Sequence, residues 1–551
     1  MIRRGFLSVG GRRVHYRMAG SGPPVVMLHG SPGDSEMFAG EMAAFAADFT
    51  AIALDTPGFG FSDPLPGEVL RVADLAQATA EAMAALGLPP CAVYGSHTGA
   101  AIGLELGVGW PERVSGLLLE GVPLFTGAET EAIFRGYFAP MVADPLGGHL
   151  TSTWMRFRDQ FTWFPWCSRD VTRLNPLDRP TPEDIHHWVS MFYRSCRTYG
   201  PAYRAACYYG EAAGYAAAAL TVPAVYTASA TDMLHPHLDR LPRLRAGQRI
   251  APLADGAAER CSGLLGYLRS LPNGAATEVR PAAGPVGSDP ALCFVAMRDG
   301  DVLVRCYGDR SRPAVLLAHD APGTGLGCET LVRTLAADFY VLVPDLPGCG
   351  ESSAPAEERA VLAAAADALT KVAAWFGLER YAVAGLGCGA AVAATLAGLH
   401  DPGLVGVVLH LVPVPDAATA SAIAPDILLS AEGAHWVRAW LMLRDAEIYR
   451  PWFAGTVAAQ RREQGNFDAQ WLHEQTCALM AGRASYHLLP RAAWRFDTLA
   501  AVRDATVPVQ VVPDGAGDGA IEACLRSLHM GLCGQVEQKT GIGPSKSPVR
   551  K

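Results

Sequence analysis

No uninterrupted apolar run of 18 residues occurs anywhere in this chain of 551, so nothing in it reads as a membrane-spanning helix. Charge is sparse, at 18% of residues, and the net value of −9 gives no electrostatic case for nucleic acid or an anionic membrane as partner. The 13 cysteines include no Cys-x-x-Cys pair; scattered and odd in number, they read as buried thiols of a cytoplasmic protein rather than disulfides or a zinc site. Met1 to Ser8 carries Arg3 and Arg4 but no apolar stretch behind them, unlike a secretory leader. Half of the residues are hydrophobic, which argues against long disorder, although the last residues, Lys546 to Lys551, read as a disordered tail. The composition therefore points to compact globular domains, and no cofactor is expected. The length exceeds one ordinary core.

What is present is one unit written twice. The segment Val25 to Gly33, containing His29-Gly30-Ser31-Pro32, returns as Val315 to Gly323, containing His319-Asp320-Ala321-Pro322. Asp55-Thr56-Pro57-Gly58 returns as Asp345-Leu346-Pro347-Gly348, and Gly95-Ser96-His97-Thr98-Gly99 returns as Gly385-Leu386-Gly387-Cys388-Gly389. All three recur at an offset of 290 residues. Further on, His149, Trp154 and Arg158-Asp159 match His435, Trp440 and Arg444-Asp445 at an offset of 286, and His187 lines up with His473. Such register over that distance is a tandem duplication. The boundaries read as a first domain over 1–271, a Pro/Gly/Ala-rich linker over 272–292 and a second domain over 293–551. Short apolar strands alternate with longer amphipathic stretches in each half, which predicts an α/β fold with a mostly parallel sheet covered on both faces. The rhythm breaks over about 126–218 and about 416–501, where helical, aromatic-rich insertions after the sixth strand would form lids.

Gly95 to Gly99 joins an apolar strand to a helical run, the setting of a nucleophile elbow, in which small residues two before and two after the centre allow a strained turn. The spacing makes His97 central. Together with His29-Gly30, the Asp55 motif and Trp110-Pro111-Glu112-Arg113-Val114, this order of motifs resembles the α/β-hydrolase superfamily, the first half being most similar to its esterase, epoxide hydrolase and haloalkane dehalogenase branch. The resemblance implies two tandem α/β-hydrolase domains. It also implies an oxyanion hole from the backbone N–H groups of Ser31 and Thr98, and an acid at Asp232 or, alternatively, at Glu120. The histidine base that the resemblance places after the last strand is missing, because Gly256 is followed by Ala257. The second half has Gly387 at its elbow, Cys388 one residue late, Asp514 at the acid position and His529 too early for a base, so it is expected to be inactive.

Two readings of the first half stay open. In one, it is an atypical hydrolase of a small apolar or aromatic ester, thioester or lactone, with His97 as nucleophile or as general base for water, oriented by Asp232 or Glu120. His149, Trp154, Trp163 and Trp166 of the lid would then face the substrate, beside Phe161, Tyr193, Tyr199 and Tyr203. In the other, the chain is a pair of non-catalytic hydrolase-like domains, packed as an intramolecular pseudo-dimer, that bind a small molecule or serve a structural role. There the lid His, Trp, Arg and Asp residues simply form a packing network. A zinc or iron site drawn from His97, His149, His187, His235, His237 and Asp232 is a third option, but no ligand spacing supports it.

Overall fold

The computed structural model describes residues 1–134, 137–138, 141–279, 284–461, 464–503 and 505–531. Residues 280–283 of the expected linker and the expected tail, 546–551, lie outside the described residues. The first sheet has eight strands: β1 (Arg3–Val9), β2 (Arg12–Ala19), β3 (Pro24–Leu28), β4 (Thr50–Leu54), β5 (Cys91–Ser96), β6 (Val114–Glu120), β7 (Ala224–Ser229) and β8 (Gln248–Leu253). Their order is β1-β2-β4-β3-β5-β6-β7-β8. Only β2 pairs antiparallel, with β1 and β4; the rest of the sheet is parallel. The second sheet comprises β9 (Ala291–Met297), β10 (Gly300–Tyr307), β11 (Ala314–Ala318), β12 (Tyr340–Pro344), β13 (Tyr381–Leu386), β14 (Leu404–His410) and β15 (Val509–Val512). It repeats the same order as far as its seventh strand. The central strands β3, β4, β11 and β12 are buried at every position, as parallel strands covered on both faces must be.

Two of the recurring motifs are framework. Asp55 accepts the backbone N–H groups of Ser35 (2.8 Å) and Phe61 (2.9 Å) and pairs with His15 Nδ1 at 2.8 Å. Its counterpart Asp345 pairs with Arg305 at 2.5 Å. His29 Nε2 accepts the Thr56 N–H at 3.0 Å, and His319 Nε2 accepts that of Leu346 at 2.9 Å. Each His-Gly or His-Asp turn is thereby tied to the following Asp-x-Pro-Gly turn, which satisfies backbone donors that burial would otherwise leave orphaned.

The compact units of the chain do not follow the sequence repeats. One contains Met1–Val304, Gly350–Ala354 and Pro425–Ala484; the other contains Arg305–Cys349, Pro355–Ala424 and the residues from Ser485 onward. The first unit therefore holds the first lid and the central part of the second, Pro425–Ala484. Helices Gly148–Thr162 and Pro182–Ser195 of the first lid pack with Ala434–Ala446 and Ala469–Ala481 of the second.

The physical reason is a reciprocal aromatic exchange. Trp154 stands edge-on to His435 with centroids 4.8 Å apart, and Trp440 stands edge-on to His149 at 5.2 Å. His149 Nδ1 accepts the Asp144 N–H at 3.0 Å and its Nε2 meets His473 Nδ1 at 3.1 Å. On the mirrored side His435 Nδ1 accepts the Ser430 N–H at 3.3 Å and its ring lies 5.3 Å from that of His186. The structural counterpart of His473 is thus His186. His187, the partner expected from the sequence, stands near Glu36 instead, at 3.6 Å; adjacent positions on a helix are about 100° apart, and His186 faces the packed side.

Burial pushes the four histidines of this cluster below the usual range, His186 and His473 to about 3 and His435 to about 4, with His149 shifted the same way. The folded lids therefore hold neutral rings while the unfolded chain takes up protons below about pH 6.5. The stability they supply is present above that pH and is lost as pH falls, by up to about 1.4 kcal/mol per histidine per pH unit. The denaturant midpoint of this unit is expected to drop between pH 7 and 5, and to drop less in His473→Gln. A midpoint that stays flat across that interval contradicts the assignment.

Candidate active site

The elbow is built by close contact. A Cβ at Gly95 would lie 2.2 Å from the Gly99 carbonyl oxygen, and one at Gly99 would lie 1.8 Å from that of Leu28, so neither position admits a side chain. Between them His97 adopts φ 50°, ψ −107°, a conformation that L-residues rarely take. Its N–H donates to the Glu120 carbonyl at the end of β6 (2.8 Å), which anchors the turn. The strain lifts the imidazole off the end of β5 toward the loop after β7.

There His97 meets Asp232. Nε2–H donates to Asp232 Oδ2 at 2.8 Å, and Asp232 Oδ1 accepts the Leu234 N–H at 2.8 Å. Burial alone would lower the His97 pKa, but the Asp232 carboxylate outweighs it and raises it. Burial would raise Asp232, yet His97 and the Leu234 N–H bring it down to about 2. The pair is therefore a carboxylate-oriented imidazole with Nδ1 as its remaining nitrogen. The ring is 36% exposed, so a ligand can reach it.

The other expected acid does something else. Glu120 accepts from Tyr94 Oη at 2.5 Å and is clamped by Arg260 through Nε (2.9 Å) and Nη2 (2.8 Å). Arg260 also reaches Glu41 at 2.6 Å. A carboxylate committed to a guanidinium and a phenol is a fixed support, and Asp232 alone engages His97. Arg260 is the participant that sequence reasoning missed. It lies in helix Ala257–Ser270, just past the place where the resemblance expected a histidine, and no motif announced it.

A cavity of about 340 Å³ opens above the pair. Ser31, His97, Thr98, Glu120, Asp232 and Arg260 contribute to its wall, and the rest is largely apolar, with Phe125, Tyr137, Phe161, Phe164, Trp188 and Tyr203 as its aromatic members. Ser31 and Thr98, the residues expected to form an oxyanion hole, both line this cavity, and neither N–H meets a protein acceptor among the described residues. His149, Trp154, Trp163 and Trp166 are not on this wall. His149 and Trp154 sit at the lid-packing end of their helix, and Phe161 lies about 10 Å beyond Trp154 along its axis, where the helix meets the cavity. Trp163 is in extended backbone, so its neighbour Phe164 points the opposite way and takes the wall. Trp166 instead stacks on the Arg156 guanidinium, 5.3 Å from the ring centre. The remaining histidines do not converge on His97: His237 Nδ1 accepts the Leu124 N–H and His235 bonds the Ala228 carbonyl. Among the described residues no group of three or more His, Cys, Asp or Glu has metal-holding geometry.

The second elbow has the same turn, with Gly387 at φ 54° and its N–H on the His410 carbonyl at 3.0 Å. Its two backbone donors are occupied: Asp320 Oδ1 accepts from both Ala321 N–H and Cys388 N–H at 2.8 Å. A Cβ on Gly387 would lie 2.0 Å from that carboxyl, so the acid and the bare elbow require one another. Cys388 is buried with its thiol on the Ala321 carbonyl. His529 bonds the Ala314 carbonyl at 3.1 Å.

With this geometry in hand, the comparisons with known proteins define the class. The sequence profile of the α/β hydrolase fold family matches residues 23–246 and 313–460. The chain belongs to that family, as two tandem copies of its fold. Among curated proteins it is similar to an uncharacterized hydrolase, YraK, of Bacillus subtilis (33% identity over 115 residues, 20% of this chain and 42% of that protein). It is also similar to haloalkane dehalogenase 2 of Mycobacterium tuberculosis (31% over 121 residues, 22% and 42%). The aligned stretch spans about two fifths of each of these relatives. Among solved structures, epoxide hydrolase A of Mycobacterium thermoresistibile is similar at 21% identity with a TM-score of 0.39, covering 50% of this chain and 100% of that one.

The Asp320–Gly387 dependence is directly measurable. Gly387→Ala is expected to destabilise the second unit by about 1–2 kcal/mol, from backbone strain plus displacement of the carboxyl. The same change in an Asp320→Gly background should cost less, with a coupling energy of at least about 0.5 kcal/mol. Strict additivity in denaturant unfolding would show that the two positions are independent.

Proposed function

We propose that the first half hydrolyses a small apolar or aromatic carboxylic ester, thioester or lactone, and that His97 is its general base. The observation that carries this reading is the 2.8 Å bond from His97 Nε2 to Asp232 on the floor of an aromatic cavity. Asp232 fixes the tautomer, so Nδ1 accepts the proton of the attacking oxygen as it adds to the carbonyl carbon. The charge that develops on the carbonyl oxygen falls to the N–H groups of Ser31 and Thr98. The imidazolium then returns the proton to the departing alcohol, thiol or ring oxygen. Six aromatic side chains and about 340 Å³ of space suit a compact hydrophobic substrate. The paired Asp232 carboxylate raises the His97 pKa, and the reactive form of the ring is the neutral one.

In this reading the second half does no chemistry. Its elbow offers no side chain and its anion-binding N–H groups are taken by Asp320. What it supplies is the second lid, which braces the first through Trp154, Trp440 and their histidine partners.

Purified protein assayed on aryl esters, thioesters and lactones should show turnover that falls at least about 100-fold in His97→Ala. The rate kcat/KM should decline as pH falls through a value above about 6.5, because protonation removes the base. In Asp232→Asn that limb should move to lower pH while the plateau drops. Turnover unchanged in His97→Ala sinks the mechanism. Retention of ligand without any turnover favours the binding reading.

A further inference from the structure

The elbow that should present a nucleophile presents a base, so the attacking oxygen must come from elsewhere on the cavity wall or from water. The wall supplies a hydroxyl with no other occupation. Ser31 Oγ is buried and has no hydrogen-bond partner, a condition that costs about 1–3 kcal/mol and calls for an explanation. It belongs to the loop that leans on the elbow: a Cβ on the adjacent Gly30 would lie 3.4 Å from His97 Cβ and 3.5 Å from the Ser96 carbonyl oxygen. Among the other hydroxyls on the wall, Thr231 is committed to Asp255 at 2.6 Å, Ser229 to Thr231 at 3.4 Å, and Tyr137 and Tyr203 to one another at 2.8 Å, which leaves Ser96 and Thr98, the two neighbours of His97 in the elbow. The duplication adds an internal comparison. At the positions of Ser31 and His97 the second half carries Ala321 and Gly387, so the hydroxyl and the imidazole are absent together where the anion-binding N–H groups are closed.

We propose that Ser31 is the nucleophile of the first half, and that Ser31, His97 and Asp232 form a catalytic relay in which serine and histidine have exchanged their usual places on the fold. This rests on the reading of the first half as an ester hydrolase. In the first step His97 Nδ1 takes the Ser31 hydroxyl proton as Oγ bonds to the substrate carbonyl carbon. The tetrahedral adduct collapses, the bond from that carbon to the alcohol oxygen breaks, and the proton passes from Nδ1 to the leaving alcohol. In the second step water gives a proton to Nδ1 and bonds to the acyl carbon. The bond to Oγ then breaks and Ser31 recovers the proton. The sum is ester plus water to acid plus alcohol. The Thr98 N–H and the N–H of Ser31 itself face the developing oxyanion in both steps.

The full-length protein would be treated with diethyl p-nitrophenyl phosphate, which phosphorylates activated serines, and the modified residue located by peptide mass spectrometry. The expected result is one diethylphosphoryl group on Ser31, formed at least about 100-fold more slowly in His97→Ala. Ser31→Ala, whose side chain the second half already carries at Ala321, should fold with an unchanged unfolding transition. It should lose the label, the pre-steady-state burst with p-nitrophenyl acetate and at least about 100-fold in kcat. A label on Ser96 or Thr98, or no label on the wild type, overturns the assignment. Ser31→Ala with full turnover that still depends on His97 removes the serine while leaving the base in place, with water as the direct attacker. Turnover independent of both residues removes the underlying reading.

Discussion

The chemistry of this protein depends on a turn too crowded for side chains at two positions. Gly95 and Gly99 let the end of β5 press against the following helix and against the Leu28 carbonyl, and the residue between them is held at positive φ. Whatever sits there is pushed out over the sheet edge beside the loops after β3 and β7. In one copy that residue is an imidazole and in the other a glycine. The same backbone therefore yields a carboxylate-paired imidazole facing a cavity in one half and, in the other, a cradle that the chain fills with its own carboxylate.

The two copies illuminate each other because they share geometry and differ in occupants. Gly30 with His97 leaves the pair of backbone N–H groups open to a ligand; Asp320 with Gly387 closes it. Each pair is self-consistent, and mixing them brings a Cβ into the carboxyl group. The lids follow the opposite logic. There the copies have kept His149 and His435, Trp154 and Trp440, because each set packs against the other set, and a change in one would leave a hole in its partner. Divergence at the elbows and retention in the lids are thus two outcomes of one duplication. They are separated by whether a residue packs against the other repeat.

Much of the fold was legible from the amino-acid order. The 290-residue offset announced two copies, the strand rhythm predicted parallel sheets, and the insertions after the sixth strand became helices. Within the site, the expectation that Asp232 could orient His97 has its geometric counterpart in a direct hydrogen bond. Less legible was the choice between two acids. Glu120 ends β6 and Asp232 lies in the loop just after β7, both next to the elbow, and the difference lay in Arg260, a residue with no motif of its own that claims Glu120 from a helix 140 positions away. The replacement of Gly30 by Asp320 was visible in the aligned halves, but its meaning needed the position of the carboxyl oxygen.

The sequence by itself determined the duplicated α/β framework, the strained turn and the identity of the residue at its centre, because these follow from short-range spacing, small residues and apolar periodicity. Only the tertiary structure decided which carboxylate faces His97, which aromatic residues line the cavity and which fasten one lid to the other. Those outcomes depend on where distant segments meet. A tryptophan two helical turns from the cavity and a phenylalanine on its wall look alike in sequence, and the packing of a second lid assigns them different roles.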